Sequence, residues 1–483
     1  MVVNSLSFLV FFLVVFVVYY LPLFKKNARF QNIWLFITSY FFYGYADWRM
    51  IPLLLGATVV FYLLGLWLKK EMNNRRNRLA SWITTVGVLL GVGVLLYFKY
   101  FNFFAESFAN LLNGIGLTVT WTTLNIVMPI GLSFFTFKLI SYVIEIHREH
   151  IDPSRDFIEF GTYIAFFPTI LSGPIDRPNS MLPQLEKRKI FDYNLAVDGC
   201  RQILWGMFTK MCIADNLAKI TDGVWVDYSN HSGSTLCIVA LLYFIQMYTD
   251  FDGYSNMAIG VGKLLGIKIT RNFNHPLLAR NVAEYWRRWH MSLTAWITDY
   301  VFMPLNVKFR NWGIGGIFLA CTINLVVIGL WHGANWTYGL FGLYHSLLFI
   351  PLVFSGSFGK NKKIKPYKNG LPKFLDVMKM IGTFFLVSLG LIIFRAPSVA
   401  DAFGYIGGIT SMSLFLIPNL VISKVLLIFI LLLIFLEWGC RDNEYPLQNL
   451  KWPLFIRWII YLIMVLVILD FKGEQAAFIY AQF

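Results

Sequence analysis

Long apolar runs separated by short polar breaks dominate this chain. An α-helix rises 1.5 Å per residue, so about 20 apolar residues cross the hydrocarbon core of a bilayer. Runs of that kind occur at 5–23, 30–46, 50–68, 79–98, 124–144, 236–248, 316–330, 336–353, 374–394, 417–436 and 456–470. They predict about eleven membrane-spanning helices. The stretch 158–305 reads differently, because its apolar runs are shorter and broken by charge, glycine and proline. Ser172-Gly173-Pro174-Ile175-Asp176-Arg177-Pro178 and Asn272-Phe273-Asn274-His275-Pro276 are examples. Broken helices leave backbone groups that lipid cannot satisfy, so this region is expected inside the protein or along a cavity. The chain therefore reads as one all-α, polytopic membrane domain over 1–483, with short re-entrant or interfacial helices beside the spans.

Composition supports the same reading. Of 483 residues, 57% are hydrophobic and 14% charged, against about 45–50% and about 25% in soluble domains. The excess apolar surface must face lipid. The net charge of +15 gathers in short loops, notably 25–29, 69–78, 147–155 and 360–373. That pattern fits cytoplasmic loops against anionic lipid. No basic and aromatic interleaving on a polar face points to nucleic acid. The first run lacks a basic lead-in and a small-residue cleavage site, so it is expected to be a retained helix that starts outside and ends in the cytoplasm. On that topology the loops at 25–29, 69–78 and 147–155 share one side. The five cysteines, Cys200, Cys212, Cys237, Cys321 and Cys440, have neither disulfide-frame nor metal-site spacing and read as packing residues; no metal is expected.

An ionisable group at membrane depth is a candidate site. His332 closes an apolar run and opens His332-Gly333-Ala334-Asn335-Trp336 at a helix break. Imidazole deprotonates hydroxyls near neutral pH, and burial keeps it neutral. From position alone, a core histidine bonded to a nearby carbonyl is the favoured alternative. His290 lies in Glu284-Tyr285-Trp286-Arg287-Arg288-Trp289-His290-Met291-Ser292-Leu293. Read as one helix, this places Trp286, Trp289, His290 and Leu293 on a common face, with the tryptophans as interfacial anchors. Contact with an acyl donor, or orientation of the reactive histidine, is an equal alternative for His290. Asp250, Asp252 and Asn256 offer paired carboxylates for a cation or substrate, but a solvated helix cap is favoured. His345 and Tyr344 read as packing residues. His147, His150, His231 and His275 read as loop or helix-end residues.

Together these stretches resemble the membrane-bound O-acyltransferase superfamily, in its bacterial alginate O-acetyltransferase branch. The resemblance runs over nearly the whole chain. It covers Phe42-Tyr43-Gly44, residues 129–137 from Pro129 to Phe137, Phe167-Pro168 with Ser172-Gly173-Pro174-Ile175, and residues 250–255 from Asp250 to Ser255. It continues through Asn272-Phe273-Asn274, Tyr285-Trp286-Arg287-Arg288-Trp289-His290, Gly329-Leu330-Trp331-His332-Gly333-Ala334-Asn335-Trp336 and Phe478-Ile479-Tyr480. The chain departs from the family pattern at Asp252, Asn256 and Thr298, in the turn Pro304-Leu305-Asn306-Val307, and at Ala481-Gln482-Phe483.

The resemblance implies a ring of helices around a thin central tunnel, with His332 at the essential position and His290 at the second. It implies a cytoplasmic acyl thioester donor such as acetyl-CoA, no bound cofactor, and a bacterial inner-membrane location. It also implies a periplasmic or surface partner with an SGNH-type esterase fold, which acetylates a polysaccharide. On this reading the donor docks near 147–155 and the His290 helix, His332 either activates the acceptor hydroxyl as a base or briefly carries the acyl group itself, and Asn335 bonds the thioester oxygen or the His332 ring. Trp331 and Trp336 wall the tunnel, while Trp286, Trp289 and Asp250 contribute to substrate binding. A D-alanyl or lipid acyltransferase of the same superfamily, or a transporter or flippase, are the alternatives.

Overall fold

The computed structural model describes residues 3–21, 27–120, 123–356 and 370–473. Lys25 and Lys26, most of the basic cluster at 360–373 and the terminal Phe478-Ile479-Tyr480 lie outside the described residues. Among those described there is no strand. The α-helices in chain order are α1 (Leu6–Tyr19), α2 (Ala28–Asp47), α3 (Ile51–Asn73), α4 (Asn77–Leu95), α5 (Phe101–Gly114), α6 (Leu132–His147) and α7 (Phe157–Ala165). They continue with α8 (Pro178–Leu185), α9 (Tyr193–Met207), α10 (Asp215–Val226), α11 (Gly233–Leu264), α12 (Val282–Trp286), α13 (Met291–Ile297) and α14 (Met303–Lys308). The last are α15 (Gly313–His332), α16 (Trp336–Leu348), α17 (Ile350–Phe354), α18 (Phe374–Arg395), α19 (Val399–Ile409), α20 (Lys424–Gly439) and α21 (Leu454–Phe471).

Seven helical stretches among the described residues are long and apolar enough to cross a bilayer. One of them, Ala28–Asn73, joins the runs at 30–46 and 50–68. The other difference from the expected eleven comes from three short helices, α1 with 14 residues and α6 and α20 with 16 each. The run at 124–144 is helical only from Leu132. It is preceded by Gly131 at φ 72°, where a Cβ would lie 2.3 Å from the Ile170 carbonyl oxygen. Only glycine fits that turn. The run at 236–248 errs the other way, since α11 extends over 32 residues. Its polar second half lowers the hydropathy signal without ending the helix, because Asp250 there meets Lys210 and Ser255 meets Asn272.

The chain divides into two compact units, Met1–Ile203 with Asn256–Thr270, and Leu204–Ser255 with Arg271–Phe483. In the first, α6 is buried along nearly its whole length. Small residues on its neighbours let it approach closely, as expected where lipid supplies no hydrophobic drive between helices. A Cβ at Gly65 of α3 would fall 2.6 Å from the Tyr142 ring, and one at Gly91 of α4 would fall 2.5 Å from Ile140. Lys138 of α6, fully buried, donates to the Tyr163 carbonyl and to Thr169 Oγ1, both at 3.1 Å. At one end of this unit Arg29 pairs with Asp156 (3.2 Å) and Lys69 with Asp152 (2.7 Å). These pairs bring residues 29 and 69 to the segment 152–156, at the end where the topology expects the basic loops to share a side.

In the second unit an apolar cluster that includes Trp205, Phe208, Leu217, Ile245, Phe429 and Leu433 joins the end of α9 to α10, α11 and α20. A π-helical turn, Phe208–Ala214, interrupts the path from α9 to α10. It carries buried Lys210, which pairs with Asp215 at 2.8 Å and with Asp250 of α11 at 2.5 Å. The α15–α16 hairpin is closed by two glycines. A Cβ at Gly329 would lie 2.1 Å from the Tyr338 carbonyl oxygen, and one at Gly342 2.4 Å from that of Leu325. The outward residues of α21 are left for lipid, with Trp458, Leu462 and Leu466 all exposed. None of the five cysteines is in a disulfide.

Two outcomes follow from this packing. Gly342→Val drives a side chain into the Leu325 backbone and lowers stability by about 1–3 kcal/mol, read as a lower unfolding temperature in detergent. Lys210→Met removes the cation shared by two buried carboxylates and costs about 3–5 kcal/mol in the same measurement. Near-native stability of either variant contradicts the corresponding packing.

Candidate functional site

His332 is the last residue of α15, 4% exposed. The chain turns at Gly333, where a Cβ would sit 2.2 Å from the Tyr338 ring, so no side chain is accommodated beside the histidine. The His332 ring packs edge-on against Phe394 of α18, with centroids 5.1 Å apart. His290, 1% exposed, lies 6.2 Å away by ring centroid. Trp331 contacts both, at 5.0 Å from His332 and 5.7 Å from His290. Phe251 of α11 covers another edge of His290 at 4.7 Å. The two histidines singled out from sequence therefore meet in one buried aromatic enclosure.

The single helix expected around His290 is not formed. The chain ends α12 at Trp286 and starts α13 at Met291, with His290 left-handed at φ 42°. The cause is competition for backbone groups. Asn274 N–H donates to the Arg288 carbonyl (2.9 Å), and Met291 N–H donates to the Asn272 carbonyl (2.8 Å). These bonds pair the 272–274 segment with 288–291 and divert the chain from helix. Arg288 reinforces the pairing by reaching the Asn274 carbonyl (3.0 Å) and Glu284 (2.8 Å).

Asn272 is the main contributor missed in the sequence. Its Oδ1 accepts from Ser292 Oγ (2.9 Å) and more weakly from Ser292 N–H (3.4 Å), and it faces His290 Nδ1 at 3.0 Å. Its Nδ2 donates to Ser255 Oγ at 3.2 Å. The sequence marked Asn272 as part of a broken, proline-containing stretch and of a family-like motif, without a role, and no spacing rule links it to His290. Burial pushes the His290 imidazole down to about 3, so the ring is neutral at physiological pH.

Several expected contacts are corrected. Trp286 and Trp289 are buried, each 4% exposed, and are not interfacial anchors. Trp286 Nε1–H donates to His345 Nδ1 (3.3 Å), and Trp289 stacks on Tyr285 with centroids 5.4 Å apart. Asp250 does not cap a helix in solvent, because it lies inside α11 and is held by Lys210. Asn335 caps α16, accepting from Thr337 N–H (3.0 Å) and donating to the Pro397 carbonyl (2.8 Å). Trp336 is 57% exposed at the start of α16, on no buried wall. His345 is a packing residue as expected, fully buried against Phe341 at 4.6 Å. Among the described residues no cluster of His, Cys, Asp or Glu is arranged to hold a metal ion.

Comparison with known proteins adds to this geometry. The sequence profile of the membrane-bound O-acyltransferase family matches residues 40–392. A probable alginate O-acetylase of Pseudomonas aeruginosa is 35% identical over 412 residues, covering 83% of this chain and 73% of that protein. A peptidoglycan O-acetyltransferase of Helicobacter pylori is 29% identical over 427 residues, covering 81% and 76%. A teichoic acid D-alanyltransferase of Bacillus subtilis is 30% identical over 284 residues, covering 56% and 69%.

Asn335→Ala separates the structural role of that residue from the substrate role expected from sequence. Loss of the cap lowers stability by about 1 kcal/mol, with acyl transfer per folded molecule unchanged. A large loss of rate at equal folded protein returns Asn335 to the reactive centre.

Proposed function

We propose that this chain, which belongs to the membrane-bound O-acyltransferase family, takes an acetyl group from cytoplasmic acetyl-CoA and passes it through the bilayer for O-acetylation of an exported or cell-surface polysaccharide. The protein is a multi-pass membrane O-acyltransferase. Its place is the inner membrane of a bacterium, and an SGNH-type partner on the far side delivers the group to the polymer. Acetyl is favoured over D-alanyl because the relatives named for O-acetylation cover 81–83% of this chain, against 56% for the D-alanyltransferase.

The observation that carries the reading is the meeting of His332 and His290 in a buried aromatic enclosure. In the reaction we propose, a neutral imidazole at this centre takes the proton of the acceptor hydroxyl as its oxygen attacks the thioester carbonyl. The C–O bond forms, the C–S bond breaks, and the proton passes to the departing thiolate. His332 takes the base position and His290 lies beside it. The enclosing rings exclude water, which limits hydrolysis of the thioester. The thioester supplies the driving force, so neither a metal nor a pump is required.

The test is transfer of labelled acetyl from acetyl-CoA to surface polysaccharide in cells expressing the chain with its partner. His332→Ala at matched expression is expected to lower transfer by about 100-fold or more. Equal labelling by both proteins removes His332 from the chemistry. Carrier-dependent labelling with D-alanine, in place of acetyl, overturns the donor assignment.

A further inference from the structure

We infer that Asn272 is a positioning residue, which holds His290 in one tautomer and one orientation so that its Nε2 is the lone-pair nitrogen. The inference rests on the proposed role of the His290–His332 centre. Ser292 N–H can only donate, so the Asn272 atom it meets is the carbonyl oxygen, and the amide nitrogen points to Ser255. His290 Nδ1 meets that same oxygen at 3.0 Å. Oxygen offers no proton, so Nδ1 must carry one and donate it. In the neutral ring Nε2 is then the acceptor nitrogen, on the side of the imidazole away from Asn272.

The arrangement is built rather than incidental. Asn272 is fully buried, and its carbonyl takes donors from two residues while its amide nitrogen is bonded to α11. The backbone of Asn272 also accepts from Met291, so the segment holding His290 is fixed from both sides. Left-handed backbone at a non-glycine residue persists only where its surroundings over-determine it. Asn272 supplies that determination. An amide also differs from a carboxylate here, since it orients the ring without stabilising the imidazolium. The other titratable or charged groups near this centre are His332 on α15, Asp250 and Asp252 flanking Phe251 on α11, and Arg271, His275, Arg287 and Arg288 along the paired segments. Asp250 is neutralised by Lys210.

The experiment measures acetyl transfer against pH for the full chain in membranes with its partner, at matched folded protein. The variants are Asn272→Ala, Asn272→Asp, His290→Ala and the double variant His290→Ala with Asn272→Ala. Asn272→Ala is expected to lower the maximal rate on the order of 100-fold through misplacement of the ring, with the KM for acetyl-CoA little changed. Asn272→Asp keeps the accepting oxygen but adds charge, so the acidic limb of the pH profile moves up by about one unit or more. The double variant is expected to be no slower than His290→Ala, because the asparagine acts through the histidine. An inactive His290→Ala beside a fully active Asn272→Ala overturns the inference and leaves the proposed centre standing. A native pH profile for Asn272→Asp overturns it equally. A fully active His290→Ala brings down both the inference and the place of His290 in the proposed centre.

Discussion

A polar group buried in a lipid-embedded protein must find its partner within the protein, since the bilayer core supplies no water. The second unit is organised by that constraint. Helix α11 carries Asp250 and Ser255 in a stretch that hydropathy treats as a break, yet the helix continues because Lys210 meets Asp250 and Asn272 meets Ser255. The same requirement acts on backbone groups between Asn272 and Met291. There the two broken segments satisfy each other and, in doing so, set His290 in its left-handed position.

Close approach is the complementary requirement. Apolar side chains gain little by leaving lipid for another helix, so packing depends on fit. Gly329 and Gly342 let α15 and α16 pack backbone against backbone, and Gly333 leaves no side chain beside His332. His332 thus stands at the end of the first helix of a tightly fixed hairpin. Phe394, Trp331 and Phe251 complete the apolar surroundings.

Two classes of buried ionisable group are present, and they do different work. Lys210 with Asp215 and Asp250 is a closed ion cluster that ties a π-helical turn to α11. His290 and His332 meet instead among the rings of Phe251, Trp331 and Phe394, at breaks between helices. Charge pairing marks the first set, and an aromatic enclosure marks the second. His345 looks similar in sequence to His290 and His332, but its Nδ1 accepts from Trp286 and its ring is packed on Phe341.

The sequence by itself determined that the chain is helical and membrane-embedded, because apolar run length and sparse charge are local properties. It also marked His332, a histidine at a break within an apolar context, and His290 through the specific motif that surrounds it. It could not show that Asn272 meets His290, nor that Asp250 is neutralised by Lys210, because both pairings join segments with no periodic relation. It read residues 284–293 as one helix because local spacing allowed it, while hydrogen bonds from the distant 272–274 segment won those backbone groups. Trp336 and Asn335 looked like site residues from adjacency to His332. Only the tertiary structure decided which way each faces, because a helix start turns neighbouring side chains toward different surroundings.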